Sequence, residues 1–480
     1  MATDTTTGIA ESLARVFPLG SRVNARGRLE VGGCDTIELA REFGTPAYVV
    51  AEDDLRTRAR AFAEAGRNPG HGADLHVLFA SKAFPCTAVL RTLAQEGLWC
   101  DVASGGEMHL ALQAGFPPER LVLHGNAKSE AELRMALRHR VRLIVIDNLD
   151  EVAALERLLG DSDLAHPTHP ELADMPPQPV LVRATPNVKG DTHEKISTGQ
   201  ADSKFGFAMD QVADAVERIR GIRGLALEGV HAHIGSQLFD LEPFRREVAQ
   251  LSGLREVAQL SGLRELAGGG GPGSDGSGVG DSAVGGSGAD GSDPGFSTWD
   301  LGGGLGVAYT VDQRPPAIEE YVHALVGAAR EHLGDYERLL IEPGRALTAN
   351  AAVTLYTVQS VKRNVSTWVA VDGGMSDNLR PMLYGAVYEA HVADRPGGST
   401  PCVLAGKHCE SGDVIVREAL LEDPRPGDVI VTPATGAYGY AMANNYNGVP
   451  RPPVIFCKDG DARVVVRRES YEDLISRDVA

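Results

Sequence analysis

The residues best placed to do chemistry in this chain are a lysine closing an apolar run, a cysteine beside a glutamate, and a carboxylate shortly before an arginine. Lys82 ends LHVLFASK. Lysine is rarely buried without a partner, and a desolvated amine is what condensation with a carbonyl group requires. A lysine stretching its stem along the surface gives the same pattern. HCESGD sets Cys409 beside Glu410, joining a thiol to a carboxylate, and EPGR places Glu342 three residues before Arg345, which also fits a surface ion pair at a turn. In GVHAHIGSQ, alternation sends His231 and His233 to one side of a strand, with Ser236 in the turn that follows. Such a pair can ligate a metal, but no carboxylate or third histidine is evident beside it, so a packed or stacking imidazole is expected and no metal site. Gly302, Gly303 and Gly304 in LGGGLG let backbone N–H groups approach an anion, or simply turn a tight corner. Tyr438 stands in the glycine-rich GAYGYAMANNYNG.

These residues need a scaffold. From residue 46 the chain alternates β-rich runs with helical patterns: AYVV, LHVLFAS, WCDVAS, LVLHG, LIVIDN, PVLVRAT, LEGVHAHIG and TWDLGGG. Strands at this spacing imply right-handed βαβ units and a parallel sheet, and this many repeats suit a closed (β/α)8 barrel, with an open doubly wound sheet as the alternative. Lys82, His233 and the glycines then fall at carboxyl ends of strands, the face where such barrels build active sites. After Ile341, alternating β-branched runs separated by Gly, Pro and Asp predict a mostly antiparallel β-domain. The expected division is a barrel over 46–310 and a β-domain from 1–45 plus 311–480.

Two stretches interrupt the pattern. REVAQLSGL occurs twice in tandem from Arg246, leading into a Gly/Ser/Asp-rich insert at about 268–295 with too few apolar side chains to build a core. It reads as a flexible surface loop, as does the Pro- and His-containing stretch after Ala165.

Composition narrows the function. Asp plus Glu number 65 against 46 Lys plus Arg, a formal charge of -19, which would repel nucleic acid. No apolar run reaches membrane-spanning length and no signal-peptide pattern opens the chain, so a cytoplasmic protein is expected. The six cysteines are scattered and form no CxxC pair.

Taken together, FASKAF, DVASGGE, HGNAKS, HEKISTGQADSKFGF, GVHAHIGSQ, LGGGLG, EPGR, DNLRPMLY, CESGD and GAYGYAMANNYNG occur in one order. That order resembles the fold-type III, pyridoxal-phosphate-dependent decarboxylases, most closely those members that convert meso-2,6-diaminopimelate to L-lysine and CO2. The resemblance runs from about residue 28 to the C-terminus. It departs in having Ala127 where relatives often carry a second Asn, and in the longer connection before LGGGLG.

The resemblance implies a set of roles. Lys82 would bear pyridoxal 5'-phosphate and His233 would stack on its ring. Gly302, Gly303, Gly304, Ser236, Gly344, Arg345 and Tyr438 would bind the phosphate, and Glu342 would keep the pyridine nitrogen protonated, making the ring an electron sink. Arg345, Arg380 and Tyr384, with Tyr438, would select the substrate by gripping its far carboxylate, a task suited to the planar guanidinium fork. Glu410 would bind the distal amine and Cys409 would return a proton, since a thiol is mostly protonated at neutral pH. Cys409 and Glu410 would come from the neighbouring subunit, making a homodimer with shared active sites.

Other enzymes of the class fit less well. Decarboxylases of ornithine, lysine or arginine act on substrates without a far carboxylate, for which Arg380 is the wrong charge. A carboxynorspermidine-type substrate is a closer competitor. An alanine racemase would set an Arg, not Glu342, against the pyridine nitrogen. A non-catalytic cofactor carrier would need neither CESGD nor a second domain.

Overall fold

The computed structural model describes residues 5–67, 74–160, 176–188, 203–257 and 295–479. Eight parallel strands form the barrel: β1 (Asp74–Ala80), β2 (Trp99–Val102), β3 (Leu121–Leu123), β4 (Leu143–Ile146), β5 (Gln178–Thr185), β6 (Leu225–His231), β7 (Thr298–Asp300) and β8 (Arg338–Ile341). Each pairs with the next, and β8 closes on β1 with Leu339 opposite Leu75. Inward-facing Leu78, Val122, Val145, Leu181 and Leu340 fill the interior, so the barrel is packed and its chemistry is confined to the strand ends.

Helices separate most of the strands, and their ends are sequence-encoded. Ser129 and Glu132 form a reciprocal capping box on Glu130–His139, and Ser104 caps Gly105–Ala114, which Gly115 ends in the left-handed conformation. Helix Ile318–His332 packs beside helix Glu52–Gly66, completing the ring around β8 and β1.

The second domain is built on the long strand Ala352–Arg363, paired antiparallel with Ala47–Ala51, Thr367–Val371 and Val429–Pro433. Two pairings in this sheet are parallel, Val454–Lys458 with Ala47–Ala51 and Thr367–Val371 with Thr400–Ala405. A small sheet over residues 22–35 lies against it, burying Leu29, Val31 and Cys34 with Val353, Val431 and Ile455. The N-terminal segment therefore packs on the second domain.

Two strands change places relative to expectation. AYVV is not the first barrel strand: Ala47–Ala51 is buried throughout within the second sheet, opposite Val353 and Ile455. The barrel is completed instead by β8, so barrel strands continue past residue 310. A short, fully apolar run ahead of a helix reads the same in either sheet, and only long-range pairing decides. The duplicated stretch starts in helix Glu242–Leu251, but its second copy runs past Val257. That remainder, most of HEKISTGQADSKFGF, the stretch after Ala165 up to residue 175, and the insert up to residue 294 lie outside the described residues. Among the described residues no helix is long and apolar enough to cross a membrane.

Candidate active site

The carboxyl ends of the barrel strands and residues 380–387 of the second domain enclose a cavity of about 520 Å3. Lys82, His233, Ser236, Gly304, Glu342, Gly344, Arg345, Arg380, Tyr384 and Tyr438 all line it. Lys82 sits on a single helical turn, Ser81–Ala83, directly after β1. Burial opposes its charge, but Asp101, Tyr438 and Glu342 outweigh that and hold its pKa above the ordinary lysine value. The simple expectation of an amine neutralised by desolvation is not met, because the neighbouring carboxylates win.

One side of the site is a nest of carboxyls and imidazoles. Glu342 follows β8 and is buried, with His124 Nε2 2.8 Å from Oε1 and His231 Nε2 3.5 Å from Oε2. Burial would push its carboxyl up, yet the two imidazoles hold it well below its usual range. His231 is pushed down to about 3 by burial, so it supports Glu342 as a neutral ring. Burial, reinforced by Glu342, pushes Asp300 well up, and burial pushes Asp101 up to about 6 against the pull of His124. Glu342 is thus an ionised carboxylate beside an un-ionised one.

The two histidines of GVHAHIGSQ part company. Strand β6 ends at His231, so alternation does not carry through to His233. His231 turns to Glu342 and His124, which supply the carboxylate and third histidine that the sequence did not reveal; the three could together ligate a metal. His233 faces the cavity, its Nδ1 accepting the Gly303 N–H at 3.2 Å, and burial with the nearby Lys82 holds it well below an ordinary histidine pKa.

The glycine turn also divides. Gly304 lines the cavity, but the N–H of Gly302 donates to Asp300 Oδ1 at 3.0 Å and that of Gly303 to His233. A Cβ on Gly303 would stand 2.2 Å from the Glu342 carbonyl oxygen. These two glycines therefore let β7 and β8 approach at their ends, rather than presenting free N–H groups to an anion.

At the other side stand two guanidiniums among phenols. Arg345 donates through Nε and Nη2 to Ser236 Oγ, at 3.2 and 2.9 Å, and through Nη1 to Tyr309 Oη at 2.6 Å. Arg380 begins the short helix Arg380–Tyr384, donates to the Tyr388 hydroxyl, and lies 4.8 Å from the Tyr309 ring centroid. Both arginines are buried, and among the described residues neither has a carboxylate within ion-pair distance. Burial would push the Tyr309 phenol up, but Arg345 and Arg380 outweigh it and hold it below its ordinary value. Tyr438 packs over Arg345 at 4.9 Å, with its N–H donated to Ala83 O and its backbone at φ +64°.

Cys409 and Glu410 are exposed and do not line the cavity. Residues the sequence reading gave no role include Asp101, His124, Tyr309 and Tyr388. Asp101 and His124 follow the same rule as Lys82, a polar residue at the carboxyl end of a barrel strand, and that rule could have found them. Tyr309 and Tyr388 lie in irregular chain, where no spacing marks them.

A lysine-bearing (β/α)8 barrel joined to a β-domain, with one carboxylate held ionised and two guanidiniums facing one cavity, defines a cofactor-dependent enzyme of amino-acid chemistry. The family model for pyridoxal-dependent decarboxylase, pyridoxal binding domain, matches residues 52–282 and 292–349. A diaminopimelate decarboxylase from Bacillus subtilis is 42% identical over 469 residues, covering 96% of this chain and 97% of the relative. One from Mycobacterium tuberculosis H37Rv is 40% identical over 479 residues, covering 97% and 98%. Among solved structures, diaminopimelate decarboxylase from M. jannaschii in complex with L-lysine superposes with a TM-score of 0.81 at 30% identity, covering 96% of this chain and 98% of its own. The Helicobacter pylori enzyme, also with L-lysine, gives 0.77 at 28%, covering 92% and 98%. The chain belongs to the pyridoxal-dependent decarboxylases and, within them, to the diaminopimelate decarboxylase group. It is a carboxy-lyase that uses pyridoxal phosphate.

Proposed function

We propose that this cavity removes the carboxylate adjacent to one amine of meso-2,6-diaminopimelate, giving L-lysine and CO2. The observation that carries this reading is the pair of buried guanidiniums, Arg345 and Arg380, without carboxylate partners among the described residues. An unpaired buried charge costs several kcal/mol, about 3 to 5 when one partner is removed, so the site is built to receive anions. Two are needed, and a cofactor phosphate plus a carboxylate at the substrate's far end would supply them.

The residues present fit pyridoxal phosphate. Lys82 supplies the amine, Arg345 with Ser236, Gly304, Gly344 and Tyr438 would hold the phosphate, His233 would cover one ring face, and Glu342 would hold a proton on the pyridine nitrogen. When bound, the cofactor supplies a cationic ring that takes up the electron pair released as CO2 leaves. The ionisation of Glu342 is the protein's own contribution, since a neutral carboxyl there could not retain that proton. Gly302 and Gly303 would act through packing.

Arg380 and Tyr384, with Arg345 and Tyr438, would grip the far carboxylate. Cys409 and Glu410 of a second copy would complete the site, the thiol returning a proton to carbon and the carboxylate meeting the distal amine. Their exposure on this chain, and the apolar Val387 and Leu420 exposed at the cavity mouth and a neighbouring hollow, support a homodimer with shared sites. Six unpaired cysteines support a reducing, cytoplasmic setting.

Holoenzyme incubated with meso-2,6-diaminopimelate should release CO2 and L-lysine in equal amounts. Equal or faster CO2 release from ornithine or lysine, whose far ends carry no carboxylate, would overturn the substrate assignment.

A further inference from the structure

Two stretches remain unused by the cavity: the turn at Gly373–Ser376 and the asparagine-rich Asn444–Gly448. Both fold against the loop His408–Asp413 that carries Cys409 and Glu410. The buried Asp413 carboxylate is its hub. Oδ1 accepts the Met375 N–H at 2.7 Å, while Oδ2 accepts both the backbone N–H and the ring Nδ1–H of His408, each at 2.8 Å. Its main chain closes the loop, accepting the Gly406 N–H at 3.0 Å and donating to the Glu410 carbonyl at 3.1 Å. A Cβ at residue 406 would stand 2.1 Å from Oδ2, so the carboxylate fits only because that residue is glycine.

The other side of the loop is held as well. Asn447 Oδ1 accepts the Cys409 N–H at 3.0 Å, and the Tyr446 ring stacks on His408 with centroids 5.8 Å apart. Asn444 in turn donates its N–H to the Ser376 carbonyl at 2.9 Å, tying the two flanking stretches together. Asn447 sits at φ +54°, a conformation asparagine tolerates better than most residues. Inner groups are thus pinned from both sides while Cys409 and Glu410 stay outside.

We propose that Asp413 and Asn447 are positioning residues that hold Cys409 and Glu410 in one fixed pose for insertion into the cavity of a second copy of this chain. The proposal rests on the reading of Cys409 as proton donor. A reacting group must be held to within about 0.5 Å, and a displacement of about 1 Å can cost on the order of 100-fold in rate. An exposed loop meets that demand only if its backbone is tied down. Asp413→Asn keeps the shape but turns an amide N–H2 toward N–H donors. Asn447→Ala deletes the acceptor for Cys409, and Asn447→Asp restores one.

In the holoenzyme, Asp413→Asn and Asn447→Ala should each lower kcat by about 10- to 100-fold. KM for meso-2,6-diaminopimelate and the visible absorbance of the bound cofactor should stay within about twofold, and Asn447→Asp should keep kcat within about threefold. Because Asn447 is exposed, its variants keep the test valid if Asp413→Asn fails to fold. Parent kcat in folded Asn447→Ala, or a fall in kcat matched by equal losses in KM and cofactor absorbance, would overturn the proposal. Cys409→Ala separates the two claims: parent activity there sinks the donor reading and the proposal with it, whereas lost activity there beside parent activity in Asn447→Ala sinks only the positioning role.

Discussion

The barrel cavity and the 408–413 loop solve opposite problems. In the cavity, position comes cheaply from packed strand ends, and the difficulty is charge: one lysine, several carboxyls and two guanidiniums lie close together, the carboxyls and guanidiniums buried. Neighbours settle which are ionised. Glu342 is held as a carboxylate and Asp300 as an acid, while Lys82 keeps its charge against burial. In the loop, Cys409 and Glu410 are exposed, and the difficulty is position, met by hydrogen bonds to their backbone. The cavity thus gathers its amine, carboxylate and guanidiniums by itself, whereas the proposed proton donor and its neighbouring carboxylate are displayed outward.

The sharpest way to break the cavity half of this comparison is to remove its amine. Lys82→Ala should abolish decarboxylation and the visible absorbance of the cofactor, at roughly 420 nm, while the protein stays folded by circular dichroism. An unchanged spectrum after dialysis would take Lys82 out of the chemistry. Removing Arg380 should do less. Arg380→Ala deletes a two-pronged partner to a carboxylate, a loss on the order of 2 to 4 kcal/mol, or about 30- to 1,000-fold in KM for the substrate. Cofactor affinity should barely change, and a parallel fall in both would show that Arg380 serves the phosphate instead.

A smaller effect concerns Asp377, in the stretch that joins the two regions. Its Oδ2 accepts the Tyr356 hydroxyl at 2.6 Å and its Oδ1 the Gly374 N–H at 2.8 Å, yet burial pushes its carboxyl up to about 7. A raised folded-state pKa means that the folded chain binds the proton more tightly. Its stabilising contribution is complete below the unfolded value near pH 4 and is lost as pH rises toward 7, at about 1.4 kcal/mol per unit. Asp377→Asn should therefore gain about 2 to 3 kcal/mol on the parent between pH 5 and pH 8, read from urea midpoints. Parallel curves for parent and variant would show that Asp377 does not titrate there.

What the sequence disclosed follows the same division. Strand ends were legible, because an apolar run closed by a polar residue is a local pattern, and so Lys82 and Glu342 stood out, whereas Arg380, at the start of a short helix, was singled out only by the family resemblance. Partners brought in by tertiary pairing were not: Ala47–Ala51 looks like a barrel strand until Val353 and Ile455 claim it, and His231 looks like His233 until the strand ends between them. The glycine run was open to either an anion turn or a tight corner, and the N–H groups of Gly302 and Gly303 are taken by Asp300 and His233. Tyr309 and Tyr388 reach the arginines from irregular chain, where spacing carries no information.

The most direct test of a cavity and a loop working from different subunits is to mix Lys82→Ala protein with Cys409→Ala protein under monitored subunit exchange. In the proposed dimer neither variant alone would assemble an intact site, but each mixed dimer would carry one site with both lesions and one with neither. Random exchange makes half the dimers mixed, each with one of two sites intact, so activity should return to roughly a quarter of the parent level if the sites are independent. Complete exchange with no return of activity would place Lys82 and Cys409 in the same subunit's site and contradict the account.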